Sequence, residues 1–342
     1  MLEQIKPSFI KQSPEYLKMS LASALTLGLK QGKFYRNAKS HCLNLLLIYE
    51  NGCIANCSYC GLSSKRIGNN KSFIRVDWPI YKLDEIIEKT KNCDDIKRIC
   101  ISMVTRKESI SDIIKISYKI KEKISLPLSF LISPTIIEKK DLLEFKNVGV
   151  DKIGIALDCA TEQIFEEIRG KNPHKWEKYW EIITQAQKIF RPEQIGIHLI
   201  VGLGETEKQM LDVIQKIHNN GSNTHLFSFF PEMGSKLENK KAPLISSYRR
   251  IQLGKFLIDE NLIKAEQIFF NSKDEVLNFG LDEKFLEKVI QEGNPFLTSG
   301  CSGKNEKLVC NRPYANSLPD NIRNFPFLPD KEDIEKIKKE FL

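Results

Sequence analysis

The sequence predicts an α/β fold: a partial (β/α)6 barrel of the TIM type, with an N-terminal helical leader and an irregular C-terminal tail. Two observations carry this. Six short apolar runs alternate with amphipathic stretches of helical period, the signature of right-handed βαβ units around a parallel sheet. Beyond residue 293, prolines at 295, 313, 319, 326 and 329 leave little room for regular structure. With 342 residues the chain is long enough for one barrel-sized domain with a buried core.

Taken in order, residues 1–40 read as the leader. Leu17, Leu21, Ala24, Leu25 and Leu29 recur at approximate helical spacing after Ser13-Pro14, and Gly32 is a plausible stop. The barrel is expected over 41–240, with strands at Leu43–Tyr49, Lys97–Met103, Leu126–Ile132, Asp151–Leu157, Gln194–Val201 and Asn223–Phe229. Between them, Ile113, Ile116, Ile120 and Ile124 define one helix face, and Met210, Val213, Ile214 and Ile217 another. Thr206 and Gln209 have the spacing of a capping box before the second of these. Residues 241–342 are expected to hold a helix near Leu244–Asn261 and then the tail, which contains Cys301 and Cys310.

Hydrophobic content of 41% and charged content of 28% are those of a globular protein. No apolar run reaches the roughly 20 residues that span a bilayer, and Met1–Lys6 lacks the basic start and apolar core of a signal peptide. A cytoplasmic protein without a membrane partner is therefore expected, and its nine cysteines read as metal ligands or buried residues instead of disulfides. The net charge of +8 comes from Lys and Arg scattered among acids. No basic stripe for nucleic acid is formed, so the charge reads first as solvated helix faces, with docking of an acidic protein partner as the lesser alternative.

The chemistry concentrates in Asn51–Gly61, where Cys53, Cys57 and Cys60 place three thiols in eight residues directly after the first barrel strand. In such barrels the reactive groups sit on loops leaving the C-terminal ends of strands. Thiolate suits iron-sulfur clusters and zinc, and a structural site of either kind wants four ligands. Three local ligands leave one corner of a four-iron cluster open. The competing reading is a zinc loop with a fourth ligand from elsewhere, such as His41 or a distant cysteine.

The C-x3-C-x2-C run with an aromatic residue, Tyr59, before its last cysteine resembles the radical SAM signature. The resemblance implies that Cys53, Cys57 and Cys60 hold a 4Fe-4S cluster whose open iron is chelated by S-adenosylmethionine (SAM), giving a 5'-deoxyadenosyl radical on reductive cleavage. It also implies contacts to SAM from Tyr59, from Asp158 at the end of the fourth strand, from Arg169 and from Val201. Read as residues alone, Asp158 could equally cap the following helix, and Arg169 could equally form a surface salt bridge. Ile200, Val201, Gly202 and Glu205 are similar to the family's fifth-strand segment, where an apolar side chain meets adenine; His198 stands where that pattern has glycine. Met103-Val-Thr105 replaces the Gly-Gly-Glu that often follows the second strand.

Thr298-Ser-Gly-Cys301 and Cys310-Asn-Arg-Pro-Tyr314, with the barrel pattern, resemble the archaeal-type two-component lipoyl synthases over roughly residues 40–330. In this chain Ser302–Val309 separates the two tail cysteines. The resemblance implies an auxiliary iron-sulfur cluster held in part by Cys301 and Cys310, its sulfide destined for an unactivated carbon. Cys42 is the first choice for a further ligand and Cys100 the second. The partners implied are an octanoylated lipoyl carrier protein or domain, a homologous second synthase subunit, and an electron donor such as ferredoxin or flavodoxin. A biotin synthase-like enzyme is the alternative, although Phe130 and Gly196 stand roughly where its extra cluster ligands would be. From a different class, a non-catalytic iron-sulfur or zinc protein is the other alternative. Cys93 and Cys159 are expected to pack as small hydrophobes, and His174, His218 and His225 to be structural or exposed.

Overall fold

The computed structural model describes residues 11–67, 72–304, 308–315 and 317–341. Residues 1–10, where part of the leader and the Met1–Lys6 stretch fall, lie outside the described residues.

The described part of the leader is not a helical domain. Tyr16–Met19 is a strand, β1, and only Leu21–Thr26 is helical (α1). Leu17 and Met19 alternate with Lys18 and are fully buried. The helical spacing is real but the backbone has a stronger claim: β1 pairs antiparallel with β2 (Cys42–Leu47), satisfying an edge that would otherwise be bare. A small hairpin follows, β3 (Ser72–Phe73) and β4 (Val76–Asp77), then β5 (Ile80–Lys82), which pairs with β1, and α2 (Leu83–Lys91).

All six expected strands form. After β2 come β6 (Arg98–Ser102), β7 (Leu128–Ile132), β8 (Lys152–Asp158), β9 (Ile195–Val201) and β10 (Asn223–Ser228), joined in parallel in that order. The intervening helices are α3 (Glu108–Lys121), α4 (Lys139–Asn147), α5 (Glu162–Arg169), α6 (Trp176–Ile189) and α7 (Glu207–Asn219). The Thr206–Gln209 capping box at α7 is present as expected.

Register divides each strand cleanly. Ile99, Ile101, Phe130, Ile153, Ile155, Ile197 and Leu199 fall on the outer face and enter the main core, under the helices. The alternate row, Cys100, Ser129, Gly154, His198 and His225, faces inward and lines a cavity. A barrel interior that keeps such a cavity, largely apolar with a few polar groups aimed into it, is a place for ligands.

The sheet of eight strands runs β10-β9-β8-β7-β6-β2-β1-β5, so β10 does not pair back to the first barrel strand. The tail fills that opening. Past α8 (Ile245–Asp259), the hairpin β11 (Phe269–Phe270) and β12 (Val276–Asn278), and α9 (Glu283–Glu292), the chain turns irregular, as its prolines require, before closing with α10 (Lys331–Glu340). Ser299 accepts from the Leu226 amide of β10, while Asn311 accepts from the His41 amide and donates to the Lys39 carbonyl just before β2. Both margins of the opening are thus tied to the tail.

Arg249 of α8 anchors the tail from behind. It is 1% exposed, pairs with Glu340 at 2.8 Å and donates to the carbonyls of Ile322 and Arg323. Removing one member of such a buried network leaves the others desolvated without partners. Arg249→Met is expected to lower the unfolding free energy by about 3 kcal/mol and to expose the tail to protease before the barrel helices. Denaturant titration and limited proteolysis would check this.

Candidate active site

The cysteine loop is held on three sides by backbone hydrogen bonds. The Ile54 amide donates to Thr105 beyond β6 (3.2 Å), the Ser58 amide to Ile168 near the end of α5 (2.8 Å), and the Leu237 amide to Ser58 (2.9 Å). Gly52, at φ +58°, makes the turn that leads in, a conformation that suits glycine. Cys53, Cys57 and Cys60 consequently line one cavity of about 280 Å³ inside the barrel mouth. Two of the sulfurs already accept amide hydrogens, Cys53 from Ala55 at 3.4 Å and Cys60 from Leu62 at 3.3 Å. Burial pushes the thiols of Cys57 and Cys60 upward.

Behind the loop is a buried charged clasp. Arg169 and Asp158 pair at 2.5 Å with side-chain exposures of 7% and 8%. Tyr59 donates to the same carboxylate oxygen, and the Arg169 guanidinium also reaches the Ala156 carbonyl and, at 2.8 Å, the Tyr179 hydroxyl. Asp158 reaches this position through a bulge in β8 that puts it at φ +66°; such irregularities re-aim side chains next to active sites. Burial raises its pKa, against the pull of Arg169.

Several expectations need correction. Asp158 does not cap α5; Thr161 does, accepting from the Ile164 amide. Arg169 makes no surface salt bridge: its two terminal nitrogens bond inside the protein to Asp158, the Ala156 carbonyl and Tyr179, while its buried Nε has no partner and the side chain lines the cavity. Val201 sits in the main core on the outer face, and Ile200, one residue earlier, lines the cavity; the alternation of a strand decides between them. Glu205 is committed to the amides of Gly202, Leu203 and Gly204. His41 bonds to the Asp95 carbonyl at the other end of β2 from the cysteine loop, so it is not at hand as a fourth ligand.

A second group of thiols gathers deeper in the barrel. Cys42 and Cys100 lie on the inward row of adjacent strands, and Cys301 and Cys310 come from the tail. The tail pair are neighbours despite their separation. Residues 302 and 308 bridge, and the amides of Val309 and Cys310 both donate to the Cys301 carbonyl at 3.1 Å. Residues 305–307 of this excursion lie outside the described residues. Gly300 makes the approach possible, because a Cβ there would stand 2.5 Å from the Cys310 carbonyl oxygen. Neighbouring Cys42, with the Arg312 and Arg98 guanidiniums, pulls Cys310 down to about 6 against its burial. Burial holds Cys301 up at about 11 and Cys100 at about 12. Cys42 is raised by its neighbour Cys310 and by burial. Thiols gathered beside the Arg98 and Arg312 guanidiniums are the environment that an anionic thiolate-bound cluster needs.

Three histidines with no sequence signal of their own enter the site. His174 lies against Cys57, its Nε2 3.4 Å from the sulfur, and is pushed down to about 3 by burial and by Arg169. His198 and His225 lie side by side on β9 and β10, their rings tilted by 48° with centroids 5.2 Å apart. Gly196 is required there, since a Cβ would come within 2.4 Å of the His225 ring. His218, by contrast, is half-buried and bonds to Asn261, a structural role as expected. Cys159 packs in the core and Cys93 against it, also as expected.

The radical SAM superfamily profile matches residues 47–217, half of the chain. The chain belongs to the radical SAM superfamily. No curated protein matches the sequence significantly. Among solved structures, the [FeFe]-hydrogenase maturase HydG from Carboxydothermus hydrogenoformans aligns over 84% of this chain and 74% of its own, with a TM-score of 0.52 at 16% identity. Methylornithine synthase (PylB) aligns over 77% of this chain and 81% of its own, with a TM-score of 0.48 at 14% identity. At such identities the likeness to HydG concerns the fold alone: the partial barrel is that of radical SAM enzymes.

Membership of the radical SAM superfamily implies a 4Fe-4S cluster and SAM, and the cysteine loop fits both. It offers three thiols on one wall, amide donors to two of them, and an open cavity beside them. Among the described residues, no three His, Cys, Asp or Glu side chains are gathered around a single metal-ion position. A four-iron cube takes its thiolates at separate corners. All nine cysteines are free, and no described helix is long and apolar enough to cross a membrane.

The clasp sets a test of the site's construction. Asp158→Asn removes the buried charge opposite Arg169 and is expected to cost about 3 kcal/mol of stability, whereas Asp141→Asn, at the capping box of α4, is expected to cost about 1 kcal/mol. Equal losses in denaturant titrations would contradict the central place given to the pair.

Proposed function

We propose that this radical SAM protein is a sulfur-insertion enzyme, one component of a lipoyl synthase that converts a protein-bound octanoyl group to lipoyl. The observation that carries the reading is the pairing of two thiol groups on one cavity: Cys53, Cys57 and Cys60 at its mouth, and Cys100, Cys301 and Cys310 inside it, with the buried Cys42 as their neighbour. Cys53, Cys57 and Cys60 would hold the SAM cluster; Cys301 and Cys310, with Cys42 and Cys100, would hold the auxiliary one. When bound, these groups supply a 5'-deoxyadenosyl radical for hydrogen abstraction and a sulfide for transfer.

The chain's own residues fit the remaining tasks. Leu46, Trp78 and Val104 form an apolar cluster on the cavity wall, supplemented by Ile74 and Val76, and suit an unactivated acyl chain. Ile200 offers an apolar face for adenine. Tyr59 and Asp158 stand at the mouth where a ribose would be held, the Tyr59 hydroxyl fixed by Asp158 and the Asp158 carboxylate by Arg169. Arg98 steadies the tail from beneath the inner thiols, pairing with Asp151 at 2.6 Å and donating to the Ser302 carbonyl.

The partners proposed are an octanoylated carrier protein or domain, a homologous second subunit and a ferredoxin- or flavodoxin-like electron donor. The net charge of +8 suits acidic partners, and nine free thiols suit a reducing cytoplasm.

Two measurements test the proposal. Anaerobic reconstitution is expected to load about eight irons per chain, falling to about four when either Cys53/Cys57/Cys60 or Cys301/Cys310 are replaced by alanine. Mass spectrometry of an octanoylated peptide incubated with the protein, a candidate second subunit, SAM and reductant is expected to show added sulfur. SAM cleavage without a sulfur-containing product would remove the lipoyl assignment and leave the superfamily assignment standing. Separately, Ile200→Ala is expected to weaken SAM binding several-fold with little loss of stability. Val201→Ala, which opens a core cavity, is expected to cost about 2 kcal/mol with SAM affinity kept; isothermal titration and denaturant melts would separate the two.

A further inference from the structure

His174 lies in the connection between α5 and α6, over residues 170–175, yet its ring is 1% exposed and turned toward the cysteine loop. Nε2 stands 3.4 Å from the Cys57 sulfur. On the other side of the ring, Nδ1 is 3.1 Å from the Tyr179 hydroxyl and 2.5 Å from the Thr135 hydroxyl. The Tyr179 oxygen in turn accepts from Arg169 Nη2 at 2.8 Å.

Nδ1 thus faces two hydroxyls, and these can leave the ring hydrogen on Nε2. A phenol oxygen that accepts from a guanidinium turns its own hydrogen elsewhere, and Nδ1, beside the Thr135 hydroxyl, is an acceptor within reach. The single hydrogen of a neutral imidazole is then left on Nε2, facing sulfur. A metal-bound thiolate has no hydrogen to offer, so with the opposite tautomer two lone pairs would face each other at 3.4 Å. Only a hydrogen on Nε2 makes the contact attractive.

We propose that His174 is a positioning residue that donates its Nε2 hydrogen to the Cys57 sulfur when the cluster is bound, raising the reduction potential of that cluster. The inference rests on the reading that Cys57 is a cluster ligand. Hydrogen bonds to ligating sulfur draw off negative charge and favour the reduced state, in which the cluster carries one more electron. The donor is held by groups from three elements: Thr135 beyond β7, Tyr179 of α6 and Arg169 of α5. Arg169 is itself pinned by Asp158 of β8, whose carboxylate also takes the hydrogen of Tyr59 in the cysteine loop. The same clasp that seats the loop therefore also aims the hydrogen at its middle cysteine.

The test is an electron-paramagnetic-resonance redox titration of the anaerobically reconstituted full chain, following the signal that changes on adding SAM. His174→Phe is expected to keep its iron and sulfide while its midpoint moves negative. At a fixed potential the ratio of reduced to oxidised cluster should fall about tenfold, equivalent to ~59 mV for a one-electron couple. Tyr179→Phe should shift in the same direction by less, and His174→Gln, which keeps an N–H donor, should recover most of the change. A fully loaded His174→Phe with an unchanged midpoint would overturn the proposal. So would loss of cluster iron from both His174 variants while Tyr179→Phe stays loaded, because His174 would then be a ligand. Retention of the SAM-sensitive signal in Cys57→Ala would sink the ligand assignment beneath it, an outcome distinct from the other two.

Discussion

The ion pair between Arg169 and Asp158 is the constraint on which the mouth of this barrel depends. Two opposite charges at 2.5 Å, each less than a tenth exposed, persist only where most of their remaining hydrogen-bonding capacity is met, and here Arg169 Nε is left without a partner. Meeting the rest recruits Tyr59, the Ala156 carbonyl and Tyr179, and through Tyr179 the ring of His174. The pair thereby joins a strand, two helices and the cysteine loop. A loop of eight residues bearing three thiols has little apolar surface with which to fix itself. Here its geometry is imposed by polar groups that cannot move without losing their partners.

The strands were legible because parallel strands buried under helices read as apolar runs, and the alternation with helical periods specified their connections. All six stand within about two residues of their expected bounds, the usual uncertainty of such edges. The leader was misread for a physical reason. Leu17, Leu21 and Ala24 satisfy a helical period, but the free edge of β2 needs backbone partners, and Tyr16–Met19 supplies them. Periodicity reports which side chains are buried; it carries no information about unpaired amides elsewhere.

The site was legible in the same uneven way. Three cysteines in one loop announce themselves by spacing. Cys42 and Cys100 acquire meaning only once register places both on the inward row, and Val201 loses its place to Ile200 by the same rule. His174 carries no motif at all: its position follows from a buried network whose members are scattered from Tyr59 to Tyr179. Gly196 was the one available sign of the adjacent histidines, since a glycine within a strand often marks a close approach.

The short bridge between Ser302 and Leu308 has a consequence for how such chains diverge. Because Gly300 and the Cys301 carbonyl hold the Cys310 segment in place, the excursion between them can lengthen or shrink without disturbing the juxtaposed sulfurs. Chain entropy scarcely opposes this: doubling a flexible loop costs only about 0.6 kcal/mol. Ligand spacing in this part of the sequence is thus nearly neutral to evolutionary drift, and kinship here is better judged by the residues flanking each cysteine than by the interval separating them.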